Sequence, residues 1–387
     1  MIRIGRREAM LGAGAALVAG ALPAFAQDEA AVALTPGLPL DALAVAAGLR
    51  FGSAMGIGSK NGPRGFVDAR YRAVMAAECG IMTPENEMKW SVIRRNGPDD
   101  WDFSGADQLI AFAEKNGMRF RGHTLLWNHP DYAPKWWDAH DYGQRPASEA
   151  ERLMVEHVDR VCTRYGKRIT SYDVVNEAID HKTGLLRETA LSRPVGAQQL
   201  IDIAFHAARR AAPHAELVYN DYMLWEPGGE LHRAKVLELL EGFRKRNVPV
   251  DALGIQAHIG DHDPDKSSAF GLHDERAWRD FLDRVTAMGY TLLITELDVS
   301  DKRLPADIET RDRETARYLR AFLDTCLSYR QLKDVIVWGM SDAYSWHQGL
   351  TPRADGLRKR PCPYDEDFRP KPMRAALADA FKARAKL

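Results

Sequence analysis

Charge of one sign is missing from this chain. Its 53 Lys and Arg stand against 54 Asp and Glu, a net charge of -1 over 387 residues. That balance gives no electrostatic footprint for nucleic acid or for an anionic membrane surface. Cysteine is scarce, and Cys79, Cys162, Cys326 and Cys362 form no C-x-x-C pair. An oxidising compartment would allow one or two disulfides among them, which spacing alone does not pair. Cys79 and Cys162 lie in apolar helical patterns and read as buried free thiols. The G-x-G-x-x-G turn of a dinucleotide-binding sheet is absent, since Gly52, Gly56 and Gly58 in "GSAMGIGSK" are spaced differently. Metal motifs are equally thin. "HIGDHDPD" gathers His258, Asp261, His262, Asp263 and Asp265 but lacks a helical i, i+4 His pair and the Gly of a calcium loop. It reads as a solvated acidic loop, with no metal and no organic cofactor expected. Arg358-Lys359-Arg360 likewise reads as a solvated loop, not a nucleic-acid patch. No internal repeat, Pro/Ser/Thr-rich linker or appended small domain interrupts the chain.

What is present begins with a targeting pattern. Arg3, Arg6 and Arg7 precede a small apolar run, Leu11 to Ala24, and Ala24-Phe25-Ala26 forms an A-x-A cleavage site. Residues 1–26 therefore read as a cleaved signal peptide, of the ordinary or the twin-arginine kind, and the mature chain as secreted or periplasmic. The apolar run is too short for a membrane span. Residues 27–47 are an Ala- and Pro-rich lead-in, and 48–387 form one domain.

Within that domain strand-like and helical patterns alternate. Strands are expected at Arg50–Ala54, Gly80–Thr83, Arg119–Leu126, Ile169–Asn176, Glu216–Asn220, Ala252–Ala257, Thr291–Leu297 and Val335–Met340. Helical stretches such as Ala147–Tyr165 and Gly196–Ala211 lie between them. The alternation implies parallel strands and an α/β fold, a (β/α)8 TIM barrel, with a doubly wound open sheet as the rival.

Polar residues collect where the strands end. Glu85, Asn86 and Lys89 follow the second strand; His123 and Trp127 mark the third, and Asn176 and Glu177 the fourth. Tyr222 follows the fifth, Gln256 and His258 the sixth, Glu296 the seventh, and Trp338 and Trp346 the eighth. In a barrel these ends converge on one face, where barrel active sites lie. Glu177 and Glu296 each follow a strongly apolar strand. Two rigidly held carboxylates facing one cleft are what glycoside hydrolysis requires: one protonated to serve the leaving oxygen, one ionised to attack or to activate water.

The motifs "TPENEMKW", "GHTLLW", "DVVNEA", "YNDY", "GIQAH", "ITELD", "VWGMSDAYSW" and "YDEDFRPKP" occur in this order from about Phe51 to Pro372. Together they resemble glycoside hydrolase family 10, the endo-β-1,4-xylanases. The resemblance implies a single catalytic domain with a retaining mechanism, Glu177 as acid/base and Glu296 as nucleophile. It further implies that Glu85, Asn86 and Lys89 bind sugars on the non-reducing side. His123, Trp127, Asn176 and Gln256 would surround the sugar at the cleavage site. His258 would bond the nucleophile, Trp338 and Trp346 would wall the cleft, and Tyr222 would meet the leaving sugar. The partner implied is xylan or a xylo-oligosaccharide, bound by a monomer. Two departures stand out. The family's Trp-His-x-Gln reads Trp127-Asn128-His129-Pro130 here, and "NDY" runs on into Met223-Leu224-Trp225. Both bear on subsites, not on the acids. A glycosidase of short xylo-oligosaccharides or another β-1,4-glycan, and a catalytically silent carbohydrate-binding protein, are the alternatives.

Overall fold

The computed structural model describes residues 37–58, 64–260 and 270–386. The expected signal peptide, most of the lead-in and the acidic loop from Asp261 to Asp265 lie outside the described residues. Strands β1 (Arg50–Met55), β2 (Ile81–Pro84), β3 (Arg119–Leu126), β4 (Ser171–Asn176), β5 (Glu216–Asp221) and β6 (Ala252–Ile255) are followed by β7 (His258–Ile259), β8 (Thr291–Val299) and β9 (Leu332–Val337). Neighbours run in the order β6-β5-β4-β3-β2-β1-β9-β8, and β6 also pairs with β8, which closes the ring. All pairings are parallel. The closed ring of eight strands is a (β/α)8 barrel; the open-sheet rival is excluded. The two-residue β7 lies outside the ring and pairs His258 with Asp298 of β8.

Helices cover the outside, among them Ala69–Glu78, Ser104–Lys115, Pro146–Tyr165, Ala197–Ala211, Glu230–Lys245, Glu275–Ala287, Ile308–Cys326 and Pro372–Arg384. Their inward stripes are apolar: Leu153, Met154, Val158 and Val161 on one, Leu200, Ile203, Ala204 and Ala207 on the next. The strands are buried along nearly their whole length, as expected when both faces of a parallel sheet are covered. No helix among the described residues is long and apolar enough to cross a membrane.

Three details differ from the sequence reading. The sixth strand breaks after Ile255 because Ala257 takes a positive φ of 62°. That turn re-aims the chain so that His258 meets β8. The last strand begins at Leu332, before the expected Val335, because Asp334 is fully buried in a pair with Arg50 of β1 and belongs to the ladder. Gly52 lies mid-strand as expected, and a Cβ there would meet the Ile81 carbonyl oxygen at 2.1 Å. All four cysteines are free and buried, which removes the disulfides that an oxidising compartment would allow.

Candidate active site

At the carboxyl ends of the strands the polar side chains form one connected net. Glu177 directly follows β4 with φ at 51°, and its N–H donates to the Asn220 carbonyl at 2.9 Å. The turn lifts the carboxylate off the strand. Its Oε1 accepts from Gln256 Nε2 at 2.9 Å and its Oε2 from Trp127 Nε1 at 3.0 Å. Across the cleft on β8, Glu296 Oε1 accepts from Asn220 Nδ2 at 2.8 Å, and its Oε2 lies 3.3 Å from His258 Nε2. Asn176 joins the two carboxylates. Its Oδ1 accepts from Asn220 Nδ2 at 2.8 Å and from Gln256 Nε2 at 3.3 Å. With the oxygen committed, the amide NH2 is what Asn176 has left to offer a ligand. Asn220, fully buried, is itself held by Thr295 Oγ1 at 2.6 Å. Gly254 of β6 is small for that reason, since a Cβ there would meet Asn220 Oδ1 at 2.3 Å.

The net drives the two acids apart. Burial, then the Glu296 and Asp221 charges, raises the Glu177 carboxyl above its ordinary value, against the bonds from Gln256 and Trp127. Burial pushes Glu296 upward too, but the His258 bond and the electrostatic influence of the neighbouring His123, His258 and Lys89 outweigh it and hold Glu296 below. His258 Nδ1 lies 3.0 Å from Asp298 Oδ2. Although burial opposes a charged ring, Asp298 and Glu296 raise His258 to about 10. One carboxyl raised beside one lowered is the direction of the division of labour that acid-assisted displacement at a sugar carbon needs.

The remaining sequence candidates gather round the same cleft. His123 Nδ1 lies 2.9 Å from Asp173 Oδ2, and its ring meets the Trp338 ring edge-on at 5.3 Å. Lys89 is drawn into the site, not to a surface ion pair. Its Nζ donates to Asn86 Oδ1 at 3.0 Å and sits 4.6 Å from the Trp127 ring centre. Burial lowers Lys89, against the pull of Glu296, Glu177, Glu85 and Glu87. Glu85 is raised well above its ordinary value by burial and by Glu87, against the pull of Lys89. Trp346 donates from Nε1 to Asp298 Oδ2 at 2.8 Å. The Tyr222 hydroxyl accepts from Arg187 Nη2 at 2.9 Å and lies 3.0 Å from His181 Nδ1.

Trp127 is used differently from a sugar platform. Tyr132 stacks on it at 4.3 Å and Lys89 also covers ring surface, so its N–H to Glu177 is the working group. The departures from the family pattern are resolved as well. Asn128 turns away: its Nδ2 donates to the Arg187 carbonyl at 2.7 Å, and its Oδ1 accepts from Thr189 Oγ1 at 2.5 Å. Met223 and Trp225 are buried, with Trp225 stacked on His273 at 4.0 Å. Trp90, Trp136, Trp137 and Trp278 are buried packing residues. Among the described residues no group of three or more His, Cys, Asp or Glu side chains could hold a metal ion.

Sequence reasoning missed several supports. Glu87 accepts from the Ile57 and Asn86 N–H groups at 2.8 and 3.0 Å and shapes the end of β2. Asp298 was not among those missed: it lies two residues beyond Glu296 in "ITELDVS" and shares its face, so the polar end of that strand already pointed to it. Asp173, Arg187 and Tyr132 carried no comparable signal.

Comparison with known proteins agrees with this geometry. The family model described as Glycosyl hydrolase family 10 matches residues 39–380. The chain is 30% identical over 365 residues to endo-1,4-beta-xylanase 1 of Gibberella zeae, covering 93% of this chain and 95% of that one. It is 33% identical over 315 residues to endo-1,4-beta-xylanase A of Caldicellulosiruptor saccharolyticus, covering 78% of this chain and 86% of the other. The structure is similar to native xylanase 10B from Thermotoga maritima, with a TM-score of 0.75, 27% identity, and coverage of 90% of this chain and 99% of that one. The barrel, its paired carboxylates and these matches agree: the chain belongs to glycosyl hydrolase family 10.

Proposed function

We propose that this protein is an endo-1,4-β-xylanase in which Glu177 is the acid/base and Glu296 the nucleophile. The observation that carries the reading is that one hydrogen-bonded net holds both carboxyls, with Glu177 raised and Glu296 lowered from the ordinary value. Family 10 hydrolysis is retaining, which sets the sequence of steps. Glu177 gives its proton to the glycosidic oxygen as Glu296 attacks the anomeric carbon, forming a covalent glycosyl-enzyme and releasing the leaving sugar. Esterification removes the Glu296 charge, one of the influences that raised Glu177. The Glu177 carboxylate, held by the Gln256 and Trp127 donors, then takes a proton from water. That water attacks the same carbon and frees Glu296. The Asn176 NH2 group is placed for the 2-hydroxyl of the reacting sugar. Lys89, Asn86 and Glu85 bind the non-reducing side, and Tyr222, steadied by Arg187, meets the leaving sugar. We propose too that the chain is exported; the mature protein should then begin at Gln27.

A ladder of linear xylo-oligosaccharides, with xylan and soluble cellulose alongside, tests the reading. Internal cleavage of xylan with little action on cellulose is expected. The commitment of Asn128 to the loop after β4 favours a second reading, a cleft suited to short chains, and activity confined to short oligosaccharides would establish it. Glu296→Ala should abolish turnover while the barrel stays folded. Glu177→Ala should slow substrates with poor leaving groups ~100-fold more than activated aryl xylosides, which need little protonation. Equal losses on both would remove Glu177 from the acid role. No release from any substrate, with sugar binding intact, would make the protein a binding module.

A further inference from the structure

The run Arg358-Lys359-Arg360 is not the solvated loop that its charge suggests. Arg360 pairs with Asp312 at 2.7 Å, and Lys359 is 1% exposed. Its ammonium donates to Thr351 Oγ1 at 2.6 Å and Ser300 Oγ at 3.1 Å, and lies 3.3 Å from His347 Nδ1. The Thr351 hydroxyl is also 3.0 Å from His347 Nδ1. The Lys359 backbone is locked on both sides by the amide of Gln348, which accepts from its N–H at 3.1 Å and donates to its carbonyl at 2.8 Å. A buried ammonium has no acceptor capacity, so a ring nitrogen facing it must be the acceptor. The proton of His347 therefore sits on Nε2, which lies 2.9 Å from Asp298 Oδ1. Asp298 thus accepts from Trp346 at 2.8 Å and has the ring nitrogens of His347 and His258 against it as partners of its charge at 2.9 and 3.0 Å. His258 in turn meets Glu296.

We propose that His347 and Lys359 are positioning residues for the nucleophile: the buried ammonium fixes the tautomer of His347, which anchors Asp298 and through it His258 against Glu296. Both are buried, at 2% and 1% exposure. The proposal rests on the assignment of Glu296 as nucleophile. Among the described residues the titratable and charged groups facing this line include Glu296 and His258 at the cleft, Asp298 and Cys362 behind them, and Lys359 at the far end. Lys89, His123 and Glu177 face the Glu296 side. Removing Lys359 frees His347 to move its proton to Nδ1, and Asp298 then loses a donor. His258 is held less firmly, and Glu296 is less well kept ionised.

The test uses Lys359→Met, His347→Met and His347→Gln in the full chain, assayed across pH with an activated aryl xylobioside. Active sites are counted by covalent trapping with a 2-deoxy-2-fluoro-xylobioside. Both Met variants should lower kcat per trapped site about tenfold with KM unchanged, and move the acid limb of kcat/KM to higher pH. His347→Gln, which keeps a donor for Asp298, should recover most of the rate and return the limb. A limb that stays put in both Met variants overturns the proposal, whatever happens to thermal stability. The position of the limb does not depend on how much enzyme is folded; Lys359→Gln is the second variant should Met prevent folding. If Glu296→Ala were to turn over normally, the fault would lie in the nucleophile assignment instead.

Discussion

Glu177 and Glu296 accept hydrogen bonds from the same small group of amides, yet Glu177 is raised and Glu296 lowered. What separates them is what stands behind each: neutral donors behind Glu177, a charged imidazole behind Glu296. The sign of the pH dependence follows. Activity needs Glu296 ionised, so it should appear as pH rises through a value below the ordinary glutamic acid range. It needs Glu177 protonated, so it should fall as pH rises through a value above that range. The pair should thus give a bell in kcat/KM whose two apparent values belong to the pair. With Glu177→Ala and an activated aryl substrate the basic limb should vanish while the acid limb remains; a retained basic limb would mean that another group donates the proton. At this scale the sequence was highly legible where a side chain ends a strand, because strand ends in a barrel share one face. It was silent on His347 and took Lys359 for part of a solvated loop, since nothing in a run of basic residues says that its middle member is buried behind a strand.

The break between β6 and β7 shows how an element aims a catalytic group. Alternation along Ala252–Ala257 reads as a continuous strand, and only the positive φ at Ala257 turns His258 toward β8. Such a turn has no Gly to announce it, so the sequence reading ran straight through. The end of β7 is fastened from outside the cleft. Glu226, in the loop after β5, accepts from the Gly260 N–H and the Tyr318 hydroxyl, each at 2.8 Å. Its other oxygen has no partner among the described residues, and burial raises its carboxyl to about 7. A carboxyl raised from its unfolded value of 4.5 contributes most below that value, and the contribution is lost as pH rises from 4.5 to about 7. Glu226→Gln should remove that loss. Its unfolding free energy at pH 8 should exceed the parent's by up to about 3 kcal/mol, with little difference at pH 4. Denaturant unfolding at the two pH values checks this; equal gaps at both would leave Glu226 without a pH-linked role.

The barrel closes between its first and last units. Arg50 of β1 pairs with Asp334 of β9. Arg374, on the helix Pro372–Arg384, meets Glu78 at 3.0 Å, and the Leu40 N–H donates to the same carboxylate at 2.7 Å. The number of strands was readable from the βα alternation, but this closure was not, because its partners lie 296 residues apart and look like ordinary charges. Removing one partner of a buried pair strands the other's charge. Arg374→Ala should therefore cost about 3 kcal/mol and lower Tm, with kcat unchanged below the transition. Thermal unfolding and rate measurements on one preparation would show whether seam and cleft are separable; a fall in kcat at low temperature would show that they are not.

The seam also sets an order of events during synthesis. A chain made from its amino end displays Glu177 early and Glu296 much later. The loop bearing His347 and Lys359, and the helix that seals the ring, emerge later still. No chain cut short before them has both acids braced, so cutting power waits until that helix has joined units that are already in place.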